Sequence, residues 1–401
     1  MSRDRLAAPV VRSVRHSPAD RPFIVIWEAT RACALACRHC RASAVPGRDQ
    51  LELNTEEADD LMRQVAAFGK PPPIFVITGG DPFERPDLTE IIRRGRAHGL
   101  PVAVSPSGTA KLNRESLAAV RDAGAVAVSL SIDGSTAEVH DGFRGIAGTF
   151  DRTMAAWREA RDLGLKVQVN TTVTRRNVRQ LPRIAAMVHE LGAMTWSAFM
   201  LVPTGRGADL GPLTAAETED VLNFLYDVGR TVPVRTTEGH HFRRVVLQRR
   251  ALEQADANPV AVLGLGELYR ELGAAWQPNQ VPESRAGRRP PLNVSAGSGF
   301  VFISHRGTVH PSGFFTGSAG NVREEQLSDI YRDSELFIGM RDPSLLRGRC
   351  GSCEYAIVCG GSRSRALAAT GDALAEDPLC VYVPGSFPYA DEVRELLDAS
   401  S

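Results

Sequence analysis

Between residues 22 and 201 short β-like runs take turns with segments of helical periodicity, and this alternation narrows the fold more than any other property of the chain. The strand candidates are Phe23 to Trp27, Ile74 to Thr78, Val102 to Ser105, Val126 to Ile132, Val167 to Thr172 and Thr195 to Val202. Between them, Thr55 to Phe68 sets Ala58, Leu61, Met62, Val65 and Phe68 on one face behind an acidic first turn at Glu56 and Glu57. That is the spacing of an amphipathic helix. Leu88 to His98, Glu115 to Asp122, Phe150 to Leu163 and Val178 to Leu191 repeat it. Strands separated by helices pair in parallel with the helices outside, so the fold class is α/β. In parallel barrels functional groups gather at the C-terminal ends of the strands. The first cysteines of the chain follow strand one at that end.

Beyond residue 210 the pattern changes. Thr214-Ala-Ala-Glu217 reads as a capping box opening a helix through Val228, and Phe242 to Glu253 reads as another helix. Residues 255 to 291, with Pro259, Pro278, Pro282, Pro290 and Pro291, read as an irregular or mobile insertion. Phe300 to Ser304, a turn at His305-Arg306-Gly307 and Thr308 to His310 then form a hairpin pattern, followed by a short helix at Leu327 to Tyr331. The expected organisation is an N-terminal extension (1–21), a core (22–210), a helical and irregular connecting region (211–291), a small cysteine-rich α+β extension (292–385) and a tail (386–401).

Lys plus Arg equals Asp plus Glu at 47 each, so charge points to neither a nucleic-acid nor a membrane partner. No apolar run approaches the ~18 residues that span a bilayer, and Met-Ser-Arg-Asp-Arg lacks an apolar signal region. The expected location is the cytoplasm. All seven cysteines fall into two groups, Cys33, Cys37 and Cys40, then Cys350, Cys353, Cys359 and Cys380. Clustered cysteine in such a chain argues for metal rather than disulfides.

A structural zinc site takes four ligands, usually from CxxC pairs, whereas Cys33, Cys37 and Cys40 come as three. His39, held between two ligating neighbours, is poorly placed to turn onto the same metal. Three thiolates suit an iron-sulfur cluster with one open iron position. The spacing, with aromatic His39 before the last cysteine, resembles the signature of radical S-adenosylmethionine (SAM) enzymes. Thr78-Gly79-Gly80-Asp81-Pro82 is similar to that family's glycine-glycine-glutamate-proline segment, with Asp81 in place of glutamate. Taken alone, it is also an ordinary turn between strand and helix. Two glycines would let backbone carbonyls approach the SAM ammonium group.

Ser129-Leu-Ser131-Ile-Asp133-Gly134 and Asn170 look like family positions near SAM's carboxylate, ribose or adenine, and Val202-Pro-Thr-Gly-Arg-Gly207 like one bordering the adenine. Arg144 is either a fork for the ligand carboxylate or a solvated loop arginine. Pro106-Ser107-Gly108 replaces the family's Thr-Asn-Gly.

Cys350, Cys353, Cys359 and Cys380, with Cys359-Gly-Gly-Ser-Arg-Ser-Arg-Ala366, Thr370-Gly-Asp372 and Asp377-Pro-Leu-Cys380, resemble the SPASM/twitch extension behind many radical SAM cores. Four thiolates complete one auxiliary four-iron cluster; structural zinc is the alternative. Pro311-Ser312-Gly313 stands where Pro-Cys often occurs, so one auxiliary cluster is expected. Thr236-Thr-Glu238-Gly-His240-His241-Phe-Arg243-Arg244 reads either as an anion or acid/base site or as a solvated helix start.

The resemblance implies a partial (β/α)6 TIM-like barrel with the cysteine-rich extension. It also implies a 4Fe-4S cluster on Cys33, Cys37 and Cys40 whose open iron binds SAM. Reductive cleavage of SAM would give a 5′-deoxyadenosyl radical that abstracts a substrate hydrogen atom. The auxiliary cluster could accept the electron that follows. The ending Cys-Gly-Gly-Ser-Arg-x-Arg-Ala also resembles enzymes that modify tetrapyrrole side chains, which favours a small metabolite or tetrapyrrole. A ribosomally made peptide, or sulfur insertion from the auxiliary cluster, are the other substrate readings. An electron donor such as flavodoxin or ferredoxin is implied. The rival of another class is a non-catalytic iron-sulfur or zinc redox sensor.

Overall fold

The structure is a computed structural model that describes residues 10–276 and 290–398. Its six first strands are β1 (Ile24–Glu28), β2 (Ile74–Thr78), β3 (Val102–Val104), β4 (Ala127–Ser131), β5 (Lys166–Val173) and β6 (Thr195–Met200). They pair in parallel, in chain order, as the alternation requires. A seventh parallel strand, β7 (Val234–Thr237), adds beside β6. Sequence periodicity passes over it because only Val234 of its four residues is buried.

The helix Thr55–Ala66 begins on Asn54, whose side chain accepts from the Glu57 N–H while Glu57 returns a bond to the Asn54 N–H. Its Ala58, Leu61, Met62 and Val65 are buried against β1 to β3. The helix Ala215–Val228 opens on the same device at Thr214 and Glu217. The apolar core has two large clusters, one on the β1 to β3 side and one on the β4 to β7 side. After β8 (Ser295–Ala296), strand β9 (Gly299–Ile303) pairs in parallel with β1, Ile24 opposite Phe300 and Trp27 opposite Ile303. Strands β10 (Thr308–His310) and β11 (Gly320–Asn321) follow antiparallel. The hairpin of the cysteine-rich extension thus extends the core sheet. Val301, Ile303, Leu327 and Tyr331 share one apolar cluster with Trp27 and Ile77. Each such buried side chain contributes about 1.5–3 kcal/mol.

The stretch expected to be irregular is ordered over its first part. Pro259 occupies the first turn of the helix Pro259–Leu263, capped by Asn258, where its missing N–H costs nothing. The helix Glu267–Ala275 follows and buries Leu268 and Leu272. Residues 277–289, including Pro278 and Pro282, lie outside the described residues. In the tail, Ala390–Asp398 is a helix packed on Phe242–Gln254, with Val393 and Leu396 buried. Among the described residues no helix is long and apolar enough to cross a membrane.

Candidate functional site

The loop carrying the first three cysteines leaves the C-terminal end of β1 and is stitched to its neighbours by backbone bonds. Cys33 N–H donates to the Val45 carbonyl at 2.9 Å, and Val45 N–H donates to Arg31 at 3.0 Å. Each of the three sulfurs accepts a donor: Leu35 N–H on Cys33 and Ala44 N–H on Cys40, both at 3.4 Å, and Arg144 Nη1 on Cys37 at 3.8 Å. Donors aimed at sulfur favour thiolate, while burial pushes the Cys33 and Cys37 thiols up. Only a positively charged ligand such as a metal centre would draw those protons off at neutral pH. The donor set fits an iron-sulfur group.

Arg41, next to Cys40, ties this loop to the extension. It donates to Glu28 at 2.6 Å and to the Gly313 carbonyl at 2.8 Å, and lies 4.6 Å from the Phe302 ring centroid.

The Gly79-Gly80 segment runs directly against the loop. Gly80 N–H donates to Thr30 at 2.8 Å and Asp81 N–H to Ala32 at 2.7 Å. A Cβ on Gly80 would sit 2.3 Å from the Ala32 carbonyl oxygen, so glycine is required here by close backbone approach. This is a packing reason that sequence reading had not supplied. Asp81 is fully buried, and its carboxylate accepts from Thr109 Oγ1 at 2.7 Å and Phe83 N–H at 3.2 Å. Its side chain shapes the turn rather than facing an open site. Ser107 donates to the Gly80 carbonyl at 2.6 Å, so the Pro106-Ser107-Gly108 segment does reach this loop.

Ser131 and Asn170 stand opposite one another on β4 and β5, and Ser197 of β6 continues the row. Asn170 Oδ1 accepts from Gln168 at 2.8 Å. Asp133 and Arg144 differ from expectation. Arg144 ends the helix Ala137–Arg144, which starts on Thr136, and it is buried, not a solvated loop residue. Its guanidinium pairs with Asp133, itself fully buried and accepting from Thr172 N–H at 2.8 Å. Burial alone would raise the Asp133 carboxyl, but the Arg144 charge prevails and holds it below the usual range. Asp133 therefore aims Arg144 at Cys37 and leaves no free carboxylate for a ligand.

Val202 is buried, and its carbonyl accepts from Thr204 at 2.8 Å. The segment after it folds over the cysteines: Arg206 N–H donates to the Cys40 carbonyl at 3.1 Å and Arg206 Nε to the Cys37 carbonyl at 2.9 Å. His39 packs its ring 4.6 Å from Phe143. Arg206 escaped sequence reading because its bonds run to backbone carbonyls, which no side-chain motif announces.

The second cysteine group borders a small cavity, partly open to solvent, that Cys350, Cys353, Cys359 and Cys380 line together with His241, Arg244 and Tyr382. Both ring nitrogens of fully buried His241 lack a hydrogen-bond partner. A Cβ on Gly361, at φ +66°, would stand 3.1 Å from Cys350 Sγ. Among the described residues no three His, Cys, Asp or Glu side chains converge on one metal ion. Burial pushes Cys359 up to about 12 and Cys353 up to about 11.

Glu238, after β7, binds this group to the barrel, not solvent. Its carboxylate accepts from Ser362 at 2.5 Å and Ser364 at 2.9 Å, and its carbonyl from Arg365 at 2.8 Å. Ser312, where a further cysteine was looked for, bonds Ser364 at 2.8 Å. The Glu238-to-Arg244 segment is therefore a buried joint between barrel and extension, not a solvated helix start, and its His241 and Arg244 line the cavity of the second cysteine group.

Residues 27–188 match the Radical SAM superfamily. The chain is 39% identical to an AdoMet-dependent heme synthase of Oleidesulfovibrio alaskensis, over 94% of this chain and 90% of that protein. It is 36% identical to an AdoMet-dependent heme synthase of Methanosarcina barkeri, over 91% and 98%. The fold matches Streptococcus suis SuiB bound to precursor peptide SuiA with TM-score 0.62 at 16% identity, over 90% of this chain and 76% of that one. The cysteine loop on β1, the glycine segment pressed against it and the parallel sheet that presents both are those of a radical SAM enzyme, and the chain belongs to the radical SAM superfamily.

Proposed function

We propose that this radical SAM enzyme oxidatively modifies a tetrapyrrole side chain. The observation that carries the substrate class is its likeness to heme synthases at 39% and 36% identity over nine-tenths of the chain. SuiB, whose structure holds a peptide, shares the fold at only 16%. The Cys359-to-Ala366 ending supports the family likeness, but Ser362, Arg363, Ser364 and Arg365 are buried in the scaffold. They would act on the substrate only through the group they enclose.

In this proposal Cys33, Cys37 and Cys40 hold the 4Fe-4S cluster, and Gly79, Gly80, Ser131, Asn170 and Val202 border SAM. Together, cluster and SAM supply hydrogen-atom abstraction from an unactivated carbon. The chain's own residues set the conditions for it. Burial of Cys33 and Cys37 keeps water from the loop. Asp133 fixes the Arg144 charge beside Cys37, and Arg206 and Gly80 clamp the loop from two strand ends. In the extension over 292–385, Cys350, Cys353, Cys359 and Cys380 would hold an auxiliary four-iron cluster, which would supply an electron acceptor for the oxidative outcome. The proposal sets the enzyme in the cytoplasm with flavodoxin or ferredoxin as donor, in keeping with seven free thiols.

The test is deuterium transfer into 5′-deoxyadenosine by anaerobically reconstituted enzyme from side-chain-deuterated iron coproporphyrin and other tetrapyrroles, with labelled peptides alongside. Transfer from a tetrapyrrole supports the proposal. Transfer from peptides alone, or a product heavier by sulfur, replaces it.

A further inference from the structure

Four buried arginines surround the second cysteine group, and they divide into two kinds. Arg244 donates to Glu219 at 2.5 and 2.9 Å, and Arg365 to Asp377 at 2.8 and 2.9 Å. Each of these has its carboxylate. Arg243 and Arg363, 5% and 3% exposed, have none within 4.0 Å among the described residues.

Their hydrogen bonds go to neutral groups. Arg243 donates to Asn293 Oδ1 and the Val358 carbonyl, both at 3.1 Å, and to the Val294 carbonyl. Arg363 donates to the carbonyls of Ala373 at 2.9 Å and Ala375 at 2.8 Å, and its Nε has no partner. Burial pulls the Arg243 guanidinium down to about 10. A buried cation without an anion is costly, so each of the two requires a source of negative charge.

One of them touches a cysteine sulfur, and the other binds the backbone beside one. Arg363 Nη2 lies 3.6 Å from Cys350 Sγ, and the Asp377 N–H reaches the same sulfur at 3.5 Å. Arg243 binds the carbonyl of Val358, the residue before Cys359. Four thiolates around a four-iron core leave a net negative charge that grows by one when the core takes an electron. Positive charge and donors at the sulfurs favour the reduced form.

We infer that Arg243 and Arg363 are positioning residues that supply counter-charge to the second thiolate group and bias it toward accepting an electron. This rests on the proposal that the four cysteines hold a four-iron cluster.

The test separates the two. A variant with Cys33, Cys37 and Cys40 all changed to alanine, reconstituted anaerobically, leaves the second group alone for iron counting and a redox titration followed by electron paramagnetic resonance. In that background, Arg363→Gln and Arg243→Gln each lower the reduction equilibrium constant at least tenfold, which is about 59 mV for one electron, with iron content unchanged. Arg363→Lys keeps the charge and stays nearer the parent. Arg347→Gln, at an exposed residue paired with Asp372, leaves the potential alone.

Four irons with the parent potential in both glutamine variants would overturn the inference and leave the cluster proposal standing. Zinc, or fewer than four irons, in the parent itself would overturn the cluster proposal first. If Arg363→Gln binds no iron while Arg363→Lys does, the counter-charge is needed for assembly, which supports the inference. If neither loads, Arg243→Gln decides it.

Discussion

The Asp133 carboxylate holds the Arg144 guanidinium against Cys37, with Nη1 3.8 Å from the sulfur. Both side chains are buried, so removing one leaves the other charge without a partner. Asp133→Asn is expected to cost ~3–5 kcal/mol in urea unfolding of the cluster-free protein. The double variant with Arg144→Gln should recover part of that loss. A single variant as stable as the parent would show that the pair is not a buried ion pair.

Gly80→Ala forces a Cβ to within 2.3 Å of the Ala32 carbonyl and must displace the cysteine loop. A displacement of that size costs on the order of 100-fold in rate, read as 5′-deoxyadenosine formed per minute. Gly211→Ala, with nothing within 4 Å of the added carbon, serves as the neutral comparison.

His140 is buried and neutral, with its pKa lowered from 6.5 to about 4, first by burial and then by Arg144. The unfolded chain binds a proton there across pH 4 to 6.5, and the folded chain does not. Its contribution is full above pH 6.5 and is lost as pH falls toward 4, roughly 3 kcal/mol over the window. Urea midpoints of the cluster-free protein at pH 7, 6 and 5 should fall, and His140→Gln should flatten the slope.

A chain ending at Pro291 lacks β9 and exposes the edge of β1 together with apolar residues that pack on Val301 and Ile303. Open parallel edges of this kind aggregate. The truncated chain should be insoluble on expression; a soluble, SAM-cleaving core would show that the extension is an independent unit.

The helices over 55–66 and 215–228 were legible because their caps and apolar faces are local. The two cysteine groups were legible as groups because their members stand close in the sequence, and the fold keeps each group together. The burial of Glu238 and His241 was not, since it depends on Ser362, Ser364 and Asp377 arriving from more than a hundred residues away. Arg144 was ambiguous for a related reason. Its helix is short, and only its pairing with Asp133 decides between solvent and core. Pro259 misled because a proline at a helix start and one in a loop look alike until Asn258 is seen to cap it.

The pairing of β1 with β9 also sets a timetable. The strand at residue 24 waits on the ribosome for its neighbour at residue 299. At ordinary translation rates that delay is on the order of half a minute. During it the loop bearing Cys33, Cys37 and Cys40 lacks the Gly313 carbonyl and Phe302 ring that later hold Arg41. The Arg41 tie between that loop and the extension is therefore made late in synthesis, only after residue 313 has joined the chain.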